Sequence, residues 1–178
     1  MKSKDVRKYY EDIFQEMLAQ MLPDMDRSLI RASYQVNGGF AAKNEINDNY
    51  DDGVSGFSIL DNVIYFRVEF TPGRINSEID QKGNIRVLNF ITLNINVYGC
   101  NSSLIALKIF SKVYSDDIMF FINQNGIYLT GKPNEIREMR EVINRQIWER
   151  HDLTLNYNVE EFIENGINIK SKGIDIII

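Results

Sequence analysis

The sequence predicts an α+β domain, with a mostly antiparallel β-sheet, two main helices packed on one face and a long β-hairpin. Three observations predict it. Apolar residues between 5 and 22 recur at spacings of three and four, the period of a helix with one buried stripe. Residues 62–71 and 85–98 alternate in character at period two, the signature of strands with one buried face. Helical spacing then returns at 104–114, before a last alternating stretch at 144–159. A helix, a hairpin, a second helix and further strands make a sheet with its helices on one side.

The elements follow in order. Val6, Tyr9, Tyr10, Ile13, Phe14, Met17, Leu18 and Met21 form the first stripe, and Pro23 with Asp24 ends that helix. Residues 30–36 read as extended. Asn37-Gly38-Gly39 is a turn signal, since Asn and Gly tolerate positive φ. An acidic loop follows at 41–56, carrying Glu45, Asp48, Asp51 and Asp52, with a short strand expected at 56–59. In 62–71, Ile64, Phe66, Val68 and Phe70 are predicted to face the core, opposite Val63, Tyr65, Arg67 and Glu69. Pro72 and Gly73 break the strand, and the polar excursion 74–83 is too long for a tight turn. The return strand 85–98 buries Val87, Ile91, Leu93, Ile95 and Val97, with a bulge expected near Asn89.

Asn101, Ser102 and Ser103 are helix N-cap residues. The following helix carries Leu104, Leu107, Phe110 and Tyr114 on one side, and Ala106, Ile109 and Val113 beside them, so burial on more than one side is expected. Residues 116–124 suggest one more helical turn, 127–130 a short strand and 134–140 a charged connector. In the last long strand Leu153, Leu155, Tyr157 and Val159 alternate with polar residues.

The 178 residues accommodate one domain, assigned here to 1–159. Residues 160–178 are expected to be a C-terminal extension that forms an edge strand or an inter-subunit contact. Apolar residues make up 44% and charged residues 25%, the balance of a folded soluble protein. No apolar run approaches the roughly 18 residues of a membrane span. The charged segment Met1–Tyr10 lacks the apolar stretch of a signal peptide, so cytoplasmic synthesis without export is expected. A net charge of −5 argues against tight binding to the outside of nucleic acid, but not against a surface that DNA slides past.

No pattern of catalytic, cofactor-binding or metal-ligating residues emerges. His151 is the one histidine, within Glu149-Arg150-His151-Asp152, and is expected to be an exposed strand residue. Cys100 is the one cysteine, expected to be small and buried. Together they cannot supply a four-ligand zinc site. The acidic loop fails the calcium pattern: counting from Asp48, the third position is Tyr50 and the twelfth Ile59. Gly131-Lys132 lacks the rest of a phosphate loop.

Three segments together resemble the tail-terminator, or neck-terminator, family of tailed bacteriophages. They are Ile30-Arg31-Ala32-Ser33-Tyr34-Gln35, Tyr98-Gly99-Cys100-Asn101-Ser102, and Trp148-Glu149-Arg150-His151-Asp152-Leu153 with Asn156 and Asn158 beyond. The third is the most specific. The sequence departs from the family in Ala32, where proline is often seen, and in the extension after Val159.

The resemblance implies a non-enzymatic virion protein of the phage neck, assembled in the host bacterial cytoplasm. It implies a homohexameric ring that terminates the tail tube and joins it to the head connector. The partners implied are the tail-tube protein on one side and the head–tail connector or stopper protein on the other. Genomic DNA would pass through the lumen without sequence-specific binding, and no membrane is involved. Candidate contacts are Arg74, Asn76 and Glu78 in the excursion, Trp148 with Arg150, and Ile176 in the tail. Trp148 fits core packing within one subunit equally well. Glu45, Asp48, Asp51 and Asp52 are candidates for an acidic lumen that repels phosphate. The alternatives are a tail-tube or baseplate ring subunit, a monomeric adaptor using an edge strand, or a small enzyme.

Overall fold

The computed structural model describes residues 3–32, 61–71, 78–79, 85–143, 145–164, 168–171 and 174–177. The Asn37–Gly39 turn, the acidic loop with Glu45, Asp48, Asp51 and Asp52, the short strand at 56–59, and Arg74 and Asn76 lie outside them. The fold is mixed α+β: a mostly antiparallel sheet with three helices packed against it, one more than the two predicted.

Helix α1 spans Ser3–Met21. Tyr10, Phe14, Met17, Leu18 and Met21 are fully enclosed, as their spacing predicts. Leu22 still bonds back to Leu18 and Ala19, and Pro23, whose ring clashes with a continuing turn, ends the helix. A 3-10 turn at Arg27–Leu29 leads into strand β1, Ile30–Ala32. Gln15 Nε2 donates to the Ile30 carbonyl at 2.7 Å, tying α1 to the sheet edge.

The sheet follows the order β1-β2-β4-β7-β8-β9. Strand β2 is Val63–Thr71, β3 Glu78–Ile79, β4 Ile85–Tyr98, β5 Ile127–Leu129, β6 Arg137–Ile143, β7 Gln146–Glu164, β8 Asn168–Ser171 and β9 Ile174–Ile177. β1 runs parallel to β2 and every other pairing is antiparallel. Strands β4 and β7 form the spine. Their register runs unbroken from Ile85↔Ile163 to Tyr98↔Arg150, so the bulge expected near Asn89 is absent from this ladder. Asn89 is simply a polar residue on the core face, opposite Val159.

Helix α2, Ser102–Lys112, and helix α3, Asp116–Gln124, complete the layer. The segment read as one helical turn is thus a full helix, with Ile118 and Ile122 buried. The core joins α1, α2 and α3 to Ile64, Phe66, Val68, Ile91, Leu93, Ile95, Val97, Leu153, Leu155, Tyr157 and Val159. Phe14 and Tyr157 meet with ring centroids 5.0 Å apart at its centre. Replacing Phe14 by Ala would cost about 3–5 kcal/mol through lost transfer energy and a residual cavity.

Two further expectations are corrected. The connector at 134–140 runs into β6, whose seven residues pair with β7 from Arg137↔Asp152 to Ile143↔Gln146. Beyond the last predicted strand, β7 continues to Glu164, β8 pairs with its end, and β9 pairs with β8 at the end of the sheet path. On α2 the inner face is Ala106 and Ile109, with Val113 just beyond, whereas Leu104 and Leu107 are each 55% exposed. That helix is buried on one side only.

Candidate assembly surfaces

The sheet face away from the helices is where β4 and β7 place their polar residues. Directly opposed pairs hydrogen-bond across the strands. Asn96 Nδ2 donates to Asp152 Oδ1 at 2.7 Å, Thr154 Oγ1 to Asn94 Oδ1 at 3.1 Å, and Thr92 Oγ1 to Asn156 Oδ1 at 3.1 Å. Phe90 and Tyr128 flank Asn158 in the next row, both substantially exposed. Amides and hydroxyls dominate this face along its middle, with the Asp152 carboxylate towards one end and an ion pair of Arg67 and Glu69 beside it on β2.

At one end the face closes over a small apolar cluster of Val63, Tyr65, Tyr98 and Trp148, with Leu29 against it. Trp148 is 1% exposed, so the structure places it inside the subunit, the core-packing alternative. Its Nε1 meets no partner among the described residues. Arg150 lies beside this cluster. Its Nε and Nη2 donate to the two oxygens of Asp152 at 2.8 and 2.7 Å, and Nη1 donates to Glu141 Oε2 at 2.8 Å. The Tyr98 hydroxyl donates to the same Glu141 oxygen at 2.9 Å. Burial works against the charge on Arg150, yet its hydrogen bonds and electrostatic interactions with Asp152 and Tyr98 together outweigh that, and the guanidinium is held charged. Burial also pushes the Tyr98 phenol well above its usual range. With both carboxylates engaged within the chain, Arg150 acts first as a clamp between β6 and β7.

His151 is 8% exposed, contrary to the exposed strand residue expected. Its Nδ1 lies 2.9 Å from the hydroxyl of Ser102, the first residue of α2. Ser102 is wholly enclosed, so the pair tethers α2 to β7. Asn101 caps α2 without a side-chain bond, and its backbone N–H donates to Asn62 Oδ1 at 2.9 Å. Cys100, expected buried, is exposed at the turn. Gly99 has φ +115°, and a Cβ there would stand 2.3 Å from the Asp61 carbonyl oxygen. The strand-to-helix corner therefore requires glycine.

Beside that corner lies a groove of about 540 Å³ between the end of α1, the 3-10 turn and α2. Met21, Leu22, Met25, Leu29, Leu104 and Ile105 supply its apolar lining. Asp24, Asp26 and Asp61 lie on one side, and Lys108 and Lys112 on α2. Asp26 accepts from the Ser28 backbone N–H at 2.8 Å, which lowers its carboxyl below the usual range.

The β6–β7 hairpin overhangs the sheet, because β4 ends opposite Arg150 while β7 begins at Gln146. Val142 and Ile147 pair across its strands at 67% and 63% exposure. Arg145 at its turn has φ +67°. Large apolar side chains are also exposed on α2 and α3, at Leu104, Leu107 and Phe120.

Of the residues singled out from the sequence, Trp148 and Arg150 come together, and neither is a free surface group. Glu78 lies in β3 and Ile176 in β9. Sequence reasoning missed the exposed residues of α2 and the hairpin tip. Among the described residues no group of three or more His, Cys, Asp or Glu is placed to hold a metal. No helix of the described residues is long and apolar enough to cross a membrane. Compared with known proteins, the chain matches no protein-family model and no curated sequence.

Proposed function

We propose that the chain is a structural subunit of a bacteriophage neck. In this reading it forms a ring that terminates the tail tube and joins it to the head connector. The observation that carries the reading is where the large apolar side chains outside the core lie. Leu104, Leu107 and Phe120 project from α2 and α3, and Val142 and Ile147 from the hairpin overhang, all from regular elements. Exposed apolar groups held on rigid elements are the material of subunit contacts. The order of the three resembling segments supplies the biological setting.

Within the ring, tail-tube protein and connector protein occupy the two sides, and genomic DNA passes without sequence-specific contact. The net charge of −5 suits a lumen that repels phosphate, with Glu45, Asp48, Asp51 and Asp52 as its proposed lining. Purified protein mixed with tail tubes and imaged by negative stain tests the reading. Single rings, or rings at one tube end, support it. Indefinite stacks turn it into a tube-protein reading, and a monomer that ignores tubes overturns it.

A second reading, an adaptor that adds a strand to a partner sheet, has one feature in its favour. Strand β9 is the last strand of the sheet path, and its outer edge meets no further strand among the described residues.

A further inference from the structure

We propose that the β6–β7 hairpin tip of one copy seats in the α1–α2 groove of the next, making a head-to-tail contact between identical subunits. This rests on the ring reading and gives it a specific interface.

The two surfaces match in chemistry. The hairpin presents Val142 and Ile147 side by side, and the groove presents an apolar lining that includes the half-exposed Leu104. Removing such side chains from water is the main gain available to an interface core. The charges match as well. Arg140 and Glu149 lie directly opposite each other one row behind the apolar pair, and Arg145 stands at the turn. The groove offers carboxylates at Asp24 and Asp26 and ammonium groups at Lys108 and Lys112. Both surfaces carry both signs, so the cationic and anionic groups of the hairpin can each find a counter-charge on the groove.

The two surfaces are also placed for propagation. Both lie at the end of the sheet where β4 meets Gly99. The groove is built from the end of α1, the 3-10 turn, the residues before β2 and α2, whereas β6 pairs with the edge of β7 that faces away from β4. A surface on one flank that fits a different surface on the other gives a heterologous contact, which closes into a ring when the rotation suits.

Single-cysteine chains in a Cys100→Ser background test the contact. One carries Ile147→Cys and the other Leu104→Cys. They are mixed in assembled material, with and without tail tubes, and treated with a short bismaleimide. The expected result is a cross-linked dimer from this mixture and none when Phe90→Cys on the opposite sheet face replaces Ile147→Cys. In parallel, Val142→Asp with Ile147→Asp, two exposed positions, should weaken assembly by about tenfold or more while the far-ultraviolet spectrum stays unchanged. Assembled wild type without the cross-link, and with the double variant assembling normally, overturns the contact but leaves the ring. Wild type that stays monomeric with and without tubes overturns both.

Discussion

The hydroxyl of Ser102 and Nδ1 of His151 meet 2.9 Å apart in the interior, joining the first turn of α2 to the first third of β7. Both partners are buried, so removing one leaves the other's polar atom without solvent. Ser102→Ala should lower unfolding stability by about 1–2 kcal/mol. Urea denaturation measures it, and an unchanged midpoint would remove the tether from the account.

Arg150 is ion-paired with both Asp152 and Glu141. Arg150→Met would remove an ion pair from each of two half-buried carboxylates. The expected loss is about 2–4 kcal/mol at neutral pH. Arg150→Lys should recover only part, since an ammonium cannot hold Asp152 by two parallel bonds and reach Glu141 as well. Urea denaturation midpoints of the two variants separate these outcomes.

Glu11 sits on α1 with its Oε1 buried and without a hydrogen-bond partner among the described residues. Burial raises its carboxyl above the usual range, against the opposing pull of Lys8 and Arg7. A raised folded-state value means the folded protein binds this proton more tightly than the unfolded chain. The stability it contributes is full below the unfolded value and is lost as pH rises through the folded one. Glu11→Gln should therefore stabilise the protein by about 1 kcal/mol at neutral pH and have little effect below about pH 4. A gain that is the same at both pH values would contradict this.

Gly99 and Arg145 both occupy the left-handed half of backbone space, with opposite consequences. Gly99→Ala would bring a methyl group against the Asp61 carbonyl, and a loss above about 2 kcal/mol is expected. Arg145→Gly should raise thermal stability, because glycine removes a penalty of about 1 kcal/mol at the hairpin turn. The same change deletes a charge from the proposed contact surface. A more stable subunit that assembles less well is the expected combination, read by calorimetry alongside light scattering.

Much of this fold is legible in the sequence. The alternation of 85–98 gives β4 its limits, and the spacing of Tyr10, Phe14, Met17 and Met21 gives α1 its buried stripe. His151 was misread because its neighbours are charged, yet it shares parity with Leu153, Leu155 and Tyr157. Extending that alternation two residues back places it on the core face. The orientation of α2 was harder to read, because apolar residues surround that helix. Only its packing on the sheet selects Ala106 and Ile109 over Leu104 and Leu107. Strand β6 carries charges on both faces, so it owes its form to pairing with β7 rather than to a buried side. The groove was not legible, since it depends on residues brought together from separate segments, and the hairpin tip was hidden by the lack of a period-two pattern in β6.

The most direct test of the ring is the mass of the purified protein by light scattering, followed by negative-stain imaging with and without tail tubes. The account predicts a closed single ring, free or seated at one tube end. A protein that stacks without limit, or remains a monomer in the presence of tubes, would contradict it.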